Sequence, residues 1–164
     1  HLGGRENIIP QGNVLGGGTS VNSQVYMRGR PQDYNEWEEI LRFNNDTTSW
    51  AWEDLLPYFK NMENNSRLEN EFHGNSGPLM VSDSVHIDQL SKDFIKTVEE
   101  LGIPYTEDFN GSSQKGVGYY QFMNRNGKRS SAAYAFITPE KNNKNLQFIC
   151  NSFLIITLLC VRLL

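Results

Sequence analysis

The stretch Gly12-Asn13-Val14-Leu15-Gly16-Gly17-Gly18-Thr19-Ser20-Val21-Asn22 carries the most information in this chain. Three successive glycines allow positive φ and let the backbone approach something closely. Small polar residues follow at once, which suits a helix start or an anion-facing turn. Two common phosphate-cradling signatures are excluded. No Lys-Ser/Thr pair follows the glycines, so this is not a Walker loop, and Gly16, Gly17 and Gly18 have the wrong spacing for GxGxxG. Gly116-Val117-Gly118 lacks the third glycine of that pattern. By themselves the glycines support a tight turn and nothing more.

The rest of the chain bounds what such a turn can serve. Its 164 residues allow one domain, or parts of two, and can bury a sizeable core. A 38% hydrophobic and 21% charged composition is globular, which disfavours full disorder and collagen-like or coiled-coil repeats. The net charge of -4 gives no electrostatic footprint for nucleic acid. Cys150 and Cys160 are too few for a disulfide scaffold and form no CxxC pair. His1, His73 and His86 form no ligand cluster by spacing, so no metal site is expected. His1-Leu2-Gly3-Gly4-Arg5 is not a signal peptide and reads as the middle of something longer. The apolar tail, Leu146 to Leu164, has nearly the length of a membrane span, but Asn151, Ser152 and Arg162 interrupt it. A buried strand is the favoured reading of the tail. Sequence partly out of frame beyond about Phe153 comes next, and a membrane span last.

Between these ends the periodicity predicts alternating short elements. Asp33 to Phe43 reads as an amphipathic helix, with Tyr34, Trp37 and Leu41 on one face and Asp33, Glu36, Glu38 and Glu39 solvated. Ser49 is the expected cap of a second helix with Leu55, Leu56, Phe59 and Met62 on its apolar side. Pro57 fits it only in the first turn. Trp37, Trp50 and Trp52 are read as packing between the two helices rather than as a binding box. Polar residues 63–75 read as an exposed loop, and 78–81 as a short strand. Asp88 caps the clearest helix, whose stripe is Leu90, Phe94, Ile95, Val98 and Leu101, and Gly102 and Pro104 end it. Gly116 to Phe122 is strand-like, and Asn126-Gly127 signals a hairpin. His73 and His86 are assigned to turn or surface positions. The pattern alone gives α+β, or a piece of an α/β protein.

A longer pattern adds to this reading. The glycine stretch is followed by Tyr26, Arg28-Gly29 and Asp33-Tyr34, and the whole resembles the first signature of the glucose-methanol-choline (GMC) oxidoreductases. That family comprises FAD-dependent alcohol oxidases and dehydrogenases. The likeness continues, in order, through Trp37, Trp50 and Leu55-Leu56-Pro57-Tyr58-Phe59-Lys60, then His73-Gly74-Asn75-Ser76-Gly77-Pro78-Leu79, then Gly127, Arg129, Ser130 and Ala133-Tyr134. It covers roughly residues 8 to 150, and the choline-dehydrogenase-like branch is the nearest.

The resemblance implies a Rossmann-like FAD domain interleaved with a substrate domain built on an antiparallel sheet. Residues 1–35 would be an FAD-binding segment, and 36–145 mostly substrate domain and connecting helices. Residues 146–164 would be a strand returning to the FAD domain, or partly out of frame. The cofactor contacts implied are Val14, Leu15, Gly16, Gly17, Thr19, Asn22, Ser23, Gln24 and Val25, and Arg28 and Arg30 could meet a cofactor phosphate. Some relatives attach FAD to a His where this chain has Val21, so FAD should be non-covalent here. Phe122, Asn124 and Arg129 would approach the active-site cavity. The implied reaction is oxidation of a small-molecule alcohol by hydride transfer to flavin, with the electron acceptor open. The catalytic His would lie beyond residue 164, so the chain would be an inactive internal fragment. An FAD-containing lyase of hydroxynitrile-lyase type is the alternative within the fold, and a non-catalytic binding module the alternative outside it. The compartment stays open, with a cytoplasmic one favoured.

Overall fold

The structure, a computed structural model, describes residues 3–44 and 47–150. A 3₁₀ turn, Gly17–Ser20, opens the order of elements. Helices α1 (Pro31–Phe43) and α2 (Trp52–Met62) follow, then strands β1 (Glu63–Asn65) and β2 (Leu79–Val81). Helix α3 (Gln89–Glu100) leads to the short strands β3 (Asn124–Arg125) and β4 (Lys128–Arg129), and a π-helical turn, Ala133–Ile137, comes last. The mixture is α+β, as the pattern predicts.

The predicted helices form, and their ends explain their limits. Helix α1 begins two residues earlier than expected, with Pro31 at a first-turn position where its missing N–H costs nothing. Asp33 accepts from the Arg30 backbone N–H at 2.8 Å, closing the turn. Ser49 does not cap α2. The cap position is Ala51, and the Trp52 N–H donates instead to Asn35 Oδ1 on α1 at 2.9 Å. Pro57 lies inside α2, beyond its first turn. Tyr34 lies between Trp52 at 5.6 Å, Phe59 at 5.7 Å and Trp37 at 5.4 Å, so the aromatic residues do pack the two helices together. Glu38 is not on a solvated face. It is buried, accepting from Trp50 N–H and Arg42 Nε, both at 2.6 Å.

Strand β1 falls within the expected loop. Its sequence, Glu63-Asn64-Asn65, has no β-branched residue, and tertiary pairing rather than propensity makes it a strand. It runs parallel to β2, with Glu63 opposite Leu79 and Asn65 opposite Val81. The expected antiparallel pairing appears in the β3–β4 hairpin and in bridges from Phe122 to Val25 and Ser82. Between residues 116 and 122 only Phe122 and Val117 make bridges, the latter a parallel one to Tyr105, so that segment is not a continuous strand. The apolar core is small: Tyr26, Leu79, Val81 and Ala135, flanked by Met62 and Met123.

Asp88 caps α3 as expected, accepting from Leu90 N–H at 2.8 Å, and Gly102 follows the helix at φ 86°. Its apolar stripe, however, is mostly in the open. Ile95 is buried, but Leu90 is 76% exposed, Phe94 62% and Leu101 77%. Leu90, Phe94 and Ile95 line, with Tyr119, Tyr120 and Phe122, a groove of about 690 Å³. No helix among the described residues is long and apolar enough to cross a membrane. Residues 146–150 form no strand, and the rest of the tail lies outside the described residues.

Candidate functional site

The glycine stretch folds as an exposed ribbon that doubles back on itself. Gly16 adopts φ 89°, and a Cβ there would sit 2.5 Å from Ser20 Oγ and 3.1 Å from Ala133 N. Only glycine satisfies both the conformation and the contact. Gly17 and Gly18 face open space, with nothing within 4 Å of an added Cβ. The ribbon is stitched by Gly17 N–H to Val14 O at 2.9 Å, Asn22 N–H to Gly18 O at 2.9 Å and Ser20 Oγ to Leu15 O at 2.9 Å. The N–H groups of Leu15, Gly16 and Ser23 donate to no partner among the described residues. The side chains of Val14, Leu15, Asn22 and Ser23 are exposed.

The other residues of the same stretch point back into the molecule. Thr19 Oγ1 donates to Gly16 O and accepts from Ala132 N–H at 2.9 Å. Gln24 takes φ 65°, and its carbonyl accepts from Met123 N–H at 2.7 Å. Val25 bridges to Phe122. Of the nine contacts implied by the signature, Val14, Leu15, Gly17, Asn22 and Ser23 thus present an open face, while Thr19, Gln24 and Val25 anchor the ribbon. Arg129 completes the anchoring, with Nη1 donating to Thr19 O at 3.0 Å and to Asn22 Oδ1 at 2.8 Å. Among the segment-approaching residues, Asn124 accepts instead from Ser82 Oγ at 2.6 Å.

Behind the ribbon lies a buried polar cluster that sequence reasoning missed. Arg28, a candidate for cofactor phosphate, is 5% exposed and pairs with Glu63, which is fully buried. Its Nη1 donates to Phe72 O at 2.8 Å and its Nε to Tyr26 Oη at 3.2 Å, so the guanidinium is engaged within the protein. Arg30 is exposed and pairs with Asp33. His73, assigned to a surface turn, is 1% exposed. Its Nδ1 lies 2.8 Å from Glu63 Oε1 and its Nε2 2.9 Å from Asp108 Oδ2. Each ring nitrogen thus faces a carboxylate oxygen to which it can donate, an arrangement that favours the imidazolium. Asn65 donates to Glu63 Oε1 at 2.6 Å and to Gln121 Oε1 at 2.7 Å. Asn110 accepts from Arg28 N–H at 2.8 Å and donates to Tyr26 O at 3.1 Å. His86 stays exposed, as expected.

Burial alone would neutralise the His73 ring, but hydrogen bonds with Asp108 and Glu63 outweigh it and hold the ring above its ordinary range. Burial would likewise raise Asp108, yet the hydrogen bonds from His73 and the Asn110 N–H keep it below the usual carboxylate range. Burial pushes the Tyr26 phenol up to about 12. The cluster therefore sets Arg28 and His73 against Glu63 and Asp108. It grips residues 26–28 from β1, from His73 and from the 108–121 segment. Chemically it is a brace, since Arg28, Glu63 and His73 are buried and spend their polar atoms on partners within the protein. The histidine motif 73–79 was visible in the sequence, but nothing there announced Asp108, 35 residues on, as the ring's partner. Among the described residues no group of His, Cys, Asp and Glu could hold a metal.

The fold is α+β, and its site is an open glycine ribbon braced by distant segments. The chain belongs to the GMC oxidoreductases: the model of that family matches residues 2–156. It is similar to an oxygen-dependent choline dehydrogenase of Brucella anthropi, 38% identical over 149 residues, 91% of this chain and 26% of the relative. It is also similar to an alcohol dehydrogenase (acceptor) of Pseudomonas putida, 38% identical over 150 residues, again 91% of this chain and 26% of the relative. Among solved structures, pyridoxine 4-oxidase from Mesorbium loti superposes with a TM-score of 0.73 at 30% identity, covering 84% of this chain and 26% of the oxidase. The chain thus spans about a quarter of the length of the relatives it matches.

Proposed function

We propose that this chain is the part of an FAD-dependent oxidoreductase that lays its ribbon, residues Val14 to Val25, along the cofactor of an enzyme oxidising a small alcohol. The observation that carries this reading is the ribbon itself, in a chain of this family. Gly17 and Gly18 leave backbone open to a bulky group, and the N–H groups of Leu15, Gly16 and Ser23 are available to acceptors. These features fit FAD. The flavin, when bound, supplies a hydride acceptor for the alcohol carbon. The chain's own residues position it: Val14 and Leu15 offer apolar surface, Gly16 a free backbone N–H, Gly17 close approach, and Asn22 and Ser23 polar groups. Thr19, Gln24 and Val25 hold the ribbon in shape. Val21 is aliphatic and exposed, so we read the attachment as non-covalent. His73 does not serve as the base in this reading, because it is enclosed between two carboxylates. The base would belong to a part of the protein outside this chain.

The full-length protein carrying this chain provides the test. It should purify with the visible absorbance of flavin, which denaturation releases from the chain. A primary alcohol such as choline, added without oxygen, should bleach it. A protein that binds no flavin, or whose flavin no alcohol reduces, overturns the reading. Flavin that stays with the denatured chain overturns the non-covalent part alone.

A further inference from the structure

The side-chain amide of Asn22 is held in one orientation by two donors. Gln24 N–H points at Oδ1 from 3.0 Å, and Arg129 Nη1 points at the same oxygen from 2.8 Å. The reversed amide would set NH₂ against two N–H donors, so the geometry admits one orientation. Its consequence is that the amide NH₂ donates to no partner among the described residues, on the exposed side of the ribbon. Arg129 reaches this point from the far end of the chain. The β3–β4 hairpin places it there, and the same Nη1 is fixed by Thr19 O at 3.0 Å. The arginine thus reads the turn and the amide together.

We propose that Arg129 is a positioning residue that makes Asn22 a hydrogen-bond donor toward the ligand of the ribbon, and that the partner is an acceptor atom of a heteroaromatic ring. This rests on the reading of the ribbon as a flavin site. A carbonyl oxygen or unprotonated ring nitrogen of a flavin has the required chemistry. Negative charge gained on reduction strengthens such a bond, so the donor favours the reduced cofactor. Arg129 acts through Asn22, to whose Oδ1 it donates.

The test is the midpoint potential of the bound flavin in the full-length protein. Asn22→Asp keeps the partner of Arg129 and removes the outward donor, so it should shift the reduction equilibrium about tenfold toward the oxidised form, about 30 mV for a two-electron couple. Arg129→Ala should shift it in the same direction, with Arg129→Lys restoring much of the wild-type value. The double variant Asn22→Ala, Arg129→Ala should match Asn22→Ala alone, since the arginine acts through the amide. Full additivity in that cycle, or an unchanged potential in Asn22→Asp, overturns the proposal. If Arg129→Ala does not fold, Asn22→Asp and Arg129→Lys still decide it. A wild-type protein without flavin instead overturns the underlying reading, and is distinguished by its spectrum before any variant is made.

Discussion

The side chains that matter most to this fold are the charged ones inside it. Glu63 is fully buried and faces Arg28, His73, Asn65 and Tyr26 at once. Removing one member of such a set leaves the others uncompensated, which costs about 3–5 kcal/mol. Glu63→Ala should therefore lose about that much in urea unfolding, while Arg28→Met with Glu63→Leu should lie nearer wild type than either single change. A Glu63→Ala loss under about 1 kcal/mol would mean that water reaches the cluster. His73 and Asp108 add a pH dependence. A raised histidine stabilises fully below its ordinary 6.5, and the benefit is lost as pH rises through the raised value. A lowered aspartate stabilises fully above its ordinary 3.8, and the benefit is lost as pH falls through the lowered value. Both contributions are complete between 3.8 and 6.5, so the urea midpoint should be highest there and decline on the alkaline side. His73→Gln should abolish the alkaline decline; a decline that survives the substitution belongs to another group. None of this was legible in the sequence, where His73 sits among glycines and polar residues that suggest a surface turn. Only the folded chain brings two carboxylates to its ring.

At the scale of elements, strand β1 and its connection to β2 depend on closeness of backbone. Gly77 is buried, and a Cβ there would lie 2.3 Å from the carbonyl carbon and oxygen of Met62. Its N–H donates to Glu63 O at 2.8 Å, so neither side can give without breaking the start of β1. Gly77→Ala should cost about 1–3 kcal/mol or more by overpacking, read as a lowered thermal midpoint together with loss of amide protection at Glu63 and Asn65. A neutral Gly77→Ala would show that this approach is not required. Helices α1 and α3 were legible because periodicity and end signals agree, as with Asp88 and Gly102 around α3. Strand β1 was not, because its partner, not its composition, makes it extended. The cap of α2 was missed for a similar reason, since Asn35, on another helix, does what Ser49 was expected to do.

On the scale of the whole molecule, the apolar surface is divided unevenly. The core around Tyr26, Leu79, Val81 and Ala135 is small, while Leu90 and Phe94 stand mostly exposed on one groove with Tyr120. A contiguous face of this kind promotes association. The chain expressed alone as residues 1–164 should bind the dye ANS and run above its monomer mass in light scattering. Leu90→Ser with Phe94→Ser should reduce both signals. Absence of dye binding by the isolated chain would mean that the stripe is covered within it.

The sequence by itself determined the family, the helices and the hairpin, because signature spacing, helical periodicity and end residues are local and survive without neighbours. It also located the ribbon, since glycines at 16 to 18 are a local demand on the backbone. Tertiary structure alone decided which ribbon residues face outward and which are anchors. It decided that Arg28 and His73 belong to a buried brace, and that Arg129 orients Asn22. Those facts depend on atoms tens to more than a hundred residues apart meeting at hydrogen-bond distance. Burial then sets whether a charge is solvated or must be paired.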